Sequence, residues 1–183
     1  AALAPRIDEG SMGNTPSLHA NLLDLLPELY RIDRQVCQAA MRLRAERTQP
    51  DGEFRGLFVS DAEFEELLAR PLGASPVANA LPPTGPAAPP CADGPSPWQR
   101  LQRALDLNRF EADVLLLCLL PEVDLKYERI FAYLQDDVTR RQPSVDLLLN
   151  LLEPDFSRRL LARQIFSPHA PLIRYRLLRL GQA

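Results

Sequence analysis

The segment from Phe110 to Leu152 most strongly limits what this chain can fold into. Its sequence is FEADVLLLCLLPEVDLKYERIFAYLQDDVTRRQPSVDLLLNLL, in which a fully apolar run, a proline, a charged and aromatic stretch and a second apolar run follow one another. Such a density of apolar residues at helical spacing predicts the centre of a helical domain. The longest apolar runs are about seven residues, whereas a helix that spans a bilayer needs roughly twenty, so we expect no membrane segment.

Composition and charge favour a soluble globular protein with one main domain. The 183 residues are 46% hydrophobic and 25% charged, which is ordinary for such proteins. The net charge of −3 gives no overall attraction to nucleic acid or to an anionic membrane, although a local basic patch would escape this sum. The cysteines Cys37, Cys91 and Cys118 are odd in number and lack metal-ligand spacing, so we expect a cytoplasmic protein without a disulfide framework.

The first part of the chain predicts an N-terminal helical element at residues 12–70. Residues 1–11 are typical of an expression-tag remnant and are left out of the fold prediction. A long amphipathic helix is expected over residues 17–47, with a kink or break at Pro27. A capping box at residues 60–63 predicts the start of a second, short helix.

A proline-rich stretch at residues 71–97 follows this element. Nine of the eighteen prolines fall there, mixed with Ala, Gly and Ser. This composition predicts a linker or loop, because such a segment buries too little apolar surface to offset its ordering entropy.

Residues 98–183 predict a second, helical domain. Asn108 and Ser144 are expected N-caps, since their side chains can accept from the first free amides of a helix. The tail at 172–180 partly alternates apolar residues with arginine, which predicts an imperfect C-terminal strand or hairpin. The helices are expected at 97–106, 109–120, 124–136, 143–152 and 154–165.

The sequence contains no recognisable catalytic or cofactor motif. A phosphate-binding loop needs GxxxxGK[ST], but the only lysine, Lys126, follows no glycine loop, and GxGxxG is also absent. His19 and His169 have no neighbours at metal-ligand spacing. The acidic pairs around 122–124 and 136–137 are better explained as helix caps and partners of nearby arginines than as general acids and bases. We therefore expect this chain to be no enzyme and to bind no metal or cofactor.

Aromatic and arginine side chains give a candidate protein-binding set. Such residues are enriched at the energetic centres of protein interfaces. On a helix, Arg129 and Tyr133 lie at i and i+4 and can face solvent, whereas Ile130 and Phe131 are expected in the core. Arg140 and Arg141 follow in the next turn and complete the candidate set.

A second set of arginines leaves DNA binding open as the alternative. It comprises Arg158, Arg159 and Arg163 on one helix, together with the tail at 172–180. Phosphates would require these charges to be presented as one patch.

Parts of the chain resemble a family of bacterial AAA+ ATPases, some of which occur beside phage-tail-like contractile injection systems. The likeness is to the region upstream of the family's ATPase module, and it covers most of residues 54–180. The similar pieces are FRGLFVSDAEFEELL at 54–68, the apolar helix at 110–120, Pro121-Glu122-Val123-Asp124, Tyr127-Glu128-Arg129, AYLQDDVTR at 132–140, Pro143-Ser144-Val145 and FSRRLLARQIFSPHAPLIRYRLL from residue 156.

This resemblance implies a mainly α-helical, winged-helix-like domain that lies N-terminal to an ATP-driven motor. It implies recruitment of a protein partner or substrate, contact with the protein's own downstream ATPase module, and an oligomer formed through the full-length ring. ATP and Mg would belong to that downstream module, and the full-length parent would be an ATP hydrolase. The prediction is thus a mainly α fold with a long amphipathic N-terminal helix, several shorter helices and a short C-terminal strand.

Overall fold

The computed structural model describes residues 25–46, 61–74 and 95–181, and every regular element in these ranges is helical. A single 3-10 turn, Arg163–Phe166, directly follows α7. The predicted linker, the capping box at 60–63 before Asp61 and the predicted tag remnant lie largely or wholly outside the described residues. The helices are α1 (Leu26–Glu46), α2 (Asp61–Ala69), α3 (Pro97–Ala104), α4 (Arg109–Val123), α5 (Lys126–Leu134), α6 (Val145–Leu152), α7 (Phe156–Ala162) and α8 (Pro171–Arg174).

Side-chain caps fix the starts of the helices in the second half. Asn108 accepts from the amide of Glu111, and the Glu111 side chain accepts in return from the Asn108 amide, which completes a capping box for α4. Ser144 caps α6 in the predicted manner. Ser96 caps α3 and Asp155 caps α7; both helices are predicted from the sequence, but their capping residues are not.

Pro27 and Pro121 lie within helices of the described residues. Pro121 lies inside α4, which continues to Val123, so the predicted end at residue 120 is too early. A proline removes one amide donor, and in the last turn this costs the helix only a single hydrogen bond. Pro27 lies in the first turn of α1, which runs from Leu26 to Glu46, and a missing amide is tolerated at that position. The part of the predicted helix before residue 25 lies outside the described residues, so the break expected at Pro27 stays a prediction.

The predicted C-terminal strand is wrong. Residues 171–174 form the short helix α8, with Pro171 at its first position, and the following turn contains Arg176 in the left-handed region at a φ of 57°. The amide of Leu178 donates to the carbonyl of Leu172 at 3.0 Å, so the chain folds back on itself. The described residues offer no partner strand, and a turn that buries Leu172 completely is the alternative that satisfies this segment.

One apolar core contains residues of both the first and the last described helix, α1 and α8. The buried side of α1 contributes Ile32 and Val36, which pack with α4, α5 and α6. Phe64 of α2 and Leu172 of α8 belong to the same core. The expected burial of Ile130 and Phe131 is confirmed. The fully buried large side chains are Tyr127, Phe64, Phe131, Ile32, Leu116, Leu117, Leu120, Ile130, Leu172, Val36 and Val114.

An ion-pair cluster ties α1 to the start of α4. The Arg31 guanidinium donates to Glu28 at 2.9 Å and forms a two-armed contact with Asp113. Arg109 reaches the same two carboxylates, each at 3.3 Å. These contacts raise the pKa of Arg31, because its hydrogen bonds to Glu28 and Asp113 outweigh the opposing effect of burial.

A second polar cluster lies beneath α1, around the carboxylate of Asp33. The Tyr127 hydroxyl donates to Asp33 at 2.5 Å, and the Lys126 ammonium lies 3.4 Å from the same oxygen. Lys126 is only 2% exposed and also donates to the carbonyl of Arg70 at 2.8 Å. A buried ammonium needs such partners, so the single lysine of the chain stabilises the junction of α1, α5 and the turn after α2. No helix of the described residues is long and apolar enough to cross a membrane.

Candidate partner-binding surfaces

Arg129 and Tyr133, the predicted solvent-facing residues of α5, contact α2. Arg129 forms an ion pair with Glu63 of α2 at 2.7 Å. The ring of Tyr133 stacks on Phe64, with centroids 3.7 Å apart and planes 21° apart. Arg129 therefore reaches solvent through its guanidinium, whereas Tyr133 is half-buried. The structure brings these two predicted residues together at the α2–α5 junction.

Arg140 and Arg141 lie in the turn after α5, where each has a carboxylate partner. Arg140 pairs with Asp137 at 3.2 Å, and Arg141 pairs with Glu128 of α5 at 3.6 Å. Both guanidiniums are exposed. Hydrogen bonds from Thr139, together with Arg140, lower the pKa of Asp137 below its usual value, so its carboxylate stays charged beside the arginine. We call Arg129, Tyr133, Arg140 and Arg141 the α5 surface.

Gln135 fixes the shape of this turn, although no sequence pattern distinguishes it. Its amide nitrogen lies within 3.0–3.1 Å of the carbonyls of Phe131, Arg140 and Gln142, and its amide oxygen accepts from Ser144 at 3.0 Å. One side chain thus connects the end of α5 to the N-cap of α6. The sequence does not reveal this role, because a glutamine at a helix end forms no distinctive motif.

The second predicted arginine set lies on α7 and the tail, and it differs in its partners. Residues 156–183 contain six arginines and no Asp or Glu, whereas the rest of the chain has 15 basic residues and 24 acidic ones. Among the described residues, none of these six guanidiniums forms an ion pair with a carboxylate. Five are exposed and Arg159 is half-buried. The six are Arg158, Arg159, Arg163, Arg174, Arg176 and Arg179.

Large apolar side chains are exposed beside these arginines. In the described part of the chain ten large hydrophobic residues are exposed, and half of them fall between residues 156 and 180. Phe156 is 66% exposed and Leu161 is 67% exposed, although both belong to the same short helix. We call the six arginines and these apolar residues the C-terminal surface. Its apolar members are Phe156, Leu160, Leu161, Tyr175 and Leu180.

Two of the arginines are held against aromatic rings. The guanidinium carbon of Arg159 lies 5.6 Å from the ring centroid of Phe156, and that of Arg174 lies 5.5 Å from the ring centroid of Tyr175. Such contacts orient a planar guanidinium and restrict its rotamers. The Nε of Arg159 is buried and has no hydrogen-bond partner, which is an unusual state for a donor.

Asp124 and the two described cysteines are structural rather than reactive. Asp124 accepts from Arg70 at 2.9 Å, from the Gly73 amide at 3.1 Å and from the Lys126 amide at 2.9 Å, which makes it a structural anchor. Burial, with a contribution from Asp33, raises the pKa of the Cys37 thiol to about 11. Burial alone raises the pKa of the Cys118 thiol to about 12. Neither thiol is activated as a nucleophile, because the thiolate is disfavoured at neutral pH.

No three His, Cys, Asp or Glu side chains in the described ranges are close enough together to bind a metal ion. His169 lies exposed in the turn before α8, and His19 is outside the described residues.

Comparison with known protein families identifies the second half of the chain. A family described as "Winged helix domain, variant" matches residues 91–183, which is half of the chain. The chain belongs to this winged-helix family. No curated protein and no solved structure is detectably similar to it. The winged-helix match covers α3 to α8, and it includes both the α5 surface and the C-terminal surface.

The α1 and α2 helices precede the winged-helix match in the sequence, but their side chains form part of the core of the matched domain. Ile32, Val36 and Phe64 come from these two helices and are fully buried against the matched region. Asp33, which accepts from Tyr127 and contacts Lys126, also precedes the match. No local pattern marks Asp33, because Lys126 and Tyr127 lie more than ninety residues away in the sequence.

Proposed function

We propose that this protein is a non-catalytic, winged-helix N-terminal domain of a AAA+ ATPase. In this role it recruits a protein partner or substrate for an ATP-driven motor whose ATPase module lies outside the chain. The family match supports a recruitment module, because a winged-helix domain fits either protein or DNA binding. The resemblance of residues 54–180 to the region upstream of AAA+ modules, including those beside contractile injection systems, supports the motor context. ATP and Mg are assigned to the motor, and the ring of full-length subunits operates in the cytoplasm.

The exposed apolar residues of the C-terminal surface favour a protein partner over DNA. Contacts to DNA are made mainly by charged and polar groups that reach phosphates and base edges. Side chains such as Phe156, Leu160 and Leu161 gain little from phosphates, whereas an apolar patch on a protein is typical of a protein-binding site. A protein that covers these side chains removes them from water.

The α5 surface is proposed as a second contact of the same partner or of the motor. Its three arginines are paired, but ion pairs at exposed positions contribute only about 0–1 kcal/mol. A partner carboxylate can therefore replace Glu63, Asp137 or Glu128 at small cost. The stacked ring of Tyr133 supplies a rigid edge beside them.

DNA binding is the second candidate function, and the six arginines without carboxylate partners favour it. A short labelled duplex titrated into the protein at about 50 mM and about 200 mM salt tests this alternative. Under the proposed function, no saturable binding is expected at the higher salt concentration. Micromolar binding that weakens steeply with salt, and that is lost on Arg158→Glu with Arg163→Glu, would establish DNA as the ligand instead.

The motor context has a direct test in the sequence encoded after Ala183. The proposal requires a GxxxxGK[ST] motif downstream, because the motor must bind nucleotide phosphates. A downstream region with no such motif contradicts the AAA+ assignment. With the motif present, the full-length protein is expected to retain a protein partner, and deletion of residues 25–181 is expected to release this partner while ATP hydrolysis continues.

A further inference from the structure

We propose that the C-terminal surface binds an acidic amphipathic helix of the partner protein. This inference rests on the proposed function and specifies the chemistry of the segment that is recruited. Three features of the surface lead to it: its charge, its exposed apolar side chains and the orientation of its guanidiniums.

Charge separation within the chain indicates an acidic ligand. Residues 156–183 carry six positive charges without one acidic residue, while the remainder of the chain is strongly acidic. Arg158 and Arg163 are exposed and form no ion pair within the described residues. A ligand that supplies carboxylates to these guanidiniums is therefore attracted to this end of the molecule and repelled by the rest.

Apolar side chains at helical spacing indicate that the ligand has an apolar face as well. Phe156 and Leu160 lie at i and i+4 on α7, where they form one exposed stripe. Arg159 and Arg163 lie at i+3 and i+7 of the same stripe, so apolar and cationic groups alternate along it. A helix with a leucine-type stripe bordered by Glu or Asp is complementary to this pattern.

Stacking prepares the guanidiniums for carboxylates. Arg159 is held against Phe156 and Arg174 against Tyr175, so less rotamer freedom is lost when an acidic side chain binds.

Duplex DNA and an anionic membrane satisfy these features less well. DNA supplies the negative charge but leaves the stripe of Phe156 and Leu160 without an apolar partner. A membrane supplies both, but α7 has only seven residues and is shorter than the helices that lie in membrane interfaces. An acidic amphipathic helix satisfies charge and apolar surface together.

A labelled synthetic peptide of roughly 18 residues tests the inference, since this length is sufficient for a helix to form on binding. The probe carries Leu at i, i+3, i+4 and i+7 and Glu at the bordering positions. One comparison peptide has the same composition in scrambled order, and another has Lys in place of Glu. Saturable binding of the acidic amphipathic peptide is expected, about tenfold tighter than that of the scrambled peptide and weakening as salt increases from about 50 to about 200 mM.

Variants of the protein locate the binding site. Arg158→Glu with Arg163→Glu is expected to weaken the peptide at least tenfold, and Leu160→Ser with Leu161→Ser about fivefold. All four substituted side chains are exposed, and all but that of Arg163 lie on α7, so we expect these variants to fold. Arg100→Glu with Arg103→Glu changes the net charge equally on α3, outside both proposed surfaces, and is the matched control, with less than a twofold effect expected.

Several outcomes overturn the inference. These are equal affinity for the scrambled peptide, an equal effect of the control variant, and tighter binding to a short duplex DNA or to phosphatidylglycerol vesicles than to the peptide. If the full-length protein retains a partner that the Arg158→Glu, Arg163→Glu variant also retains, this inference fails and the proposed function stands. If the full-length protein recruits no protein at all, the proposed function itself fails.

Discussion

Two arginine-bearing surfaces of this winged-helix protein differ in whether their arginines have carboxylate partners within the chain. On the α5 surface, Arg129, Arg140 and Arg141 each have a carboxylate within the chain at 2.7–3.6 Å. On the C-terminal surface, described carboxylates pair with none of the six arginines. The comparison teaches that a count of arginines in the sequence does not indicate which charges are available. Availability depends on what the fold places beside them. Of these two surfaces, only the C-terminal surface presents its charge to a ligand without first giving up a partner.

The aromatic residues of the two surfaces give the largest expected difference. Phe64 is buried under Tyr133, so Phe64→Ala is expected to lower the free energy of unfolding by about 3–5 kcal/mol. Phe156 is mostly exposed, and Phe156→Ala is expected to change it by less than about 0.5 kcal/mol. Urea denaturation of both variants measures the difference. Equal losses would show that α7 is a structural element and not a free surface.

Alkaline pH tests the stability of the core around α1, α4 and α5, because the buried groups that ionise there are a tyrosine and two cysteines of these helices. Burial, with hydrogen bonding and charge from Asp33, raises the pKa of Tyr127, and burial raises that of Cys37 and Cys118 to about 11 and about 12. A raised pKa favours the protonated folded state, so the stabilisation is complete below about pH 8.5 and declines as pH rises from there. Ionisation of the Cys118 thiol is expected to lower the free energy of unfolding by up to about 1.4 kcal/mol per pH unit between pH 9 and pH 11, and the half-buried Cys37 thiol by less, because solvent screens it.

Urea denaturation at pH 7, 9 and 10 measures this decline. Cys37→Ala with Cys118→Ala is the control, and its stability is expected to fall less steeply with pH than that of the natural protein. A decline that is unchanged in this variant would assign the alkaline loss to other groups.

Replacement of Gln135 is expected to have an intermediate effect that is confined to the α5 surface. Gln135→Ala removes the amide that approaches three carbonyls, which we expect to cost about 1–3 kcal/mol. Gln135→Glu keeps an acceptor for the Ser144 amide but directs a carboxylate at carbonyl oxygens, so it should destabilise at least as much at pH 7. Thermal unfolding measures both variants. Hydrogen exchange in residues 136–144 should increase, while that of α7 should not.

The smallest expected effects concern the arginines themselves. Arg129→Ala should cost up to about 1 kcal/mol, and a double-mutant cycle with Glu63→Ala should give a coupling of about 0.2–1 kcal/mol that decreases with salt. Arg158→Ala should change stability by less than about 0.5 kcal/mol, because no carboxylate partner is lost. A measurable destabilisation by Arg158→Ala would remove the distinction between the two surfaces.

Local signals in the sequence were sufficient to predict most of the helices. Asn108 and Ser144 were identifiable as caps because a cap depends on residues only three positions apart. The tail was predicted wrongly, since its partial alternation suggested a strand, while the deciding factors were Pro171 at a helix start and the burial of Leu172 in the distant core.

Long-range contacts were what the sequence could not supply. The α5 surface was predicted from Arg129 and Tyr133 by helical spacing, yet the contacts with Glu63 and Phe64 depend on how α2 packs. The lone lysine gave no hint of its buried place beside Asp33, which is 93 residues away. Residues at i and i+4 on a helix can be identified from the sequence, but ion pairs between distant segments cannot.

The position of α1 sets a limit on protein engineering with this domain. Leu29, Ile32 and Val36 fill part of the interior of the region that defines the family, although α1 precedes that region by some fifty residues. A chimera that transplants only residues 91–183 onto another motor would carry an open apolar trough where α1 belongs. The smallest transferable unit therefore includes α1, and a graft is best judged by whether the trough is filled.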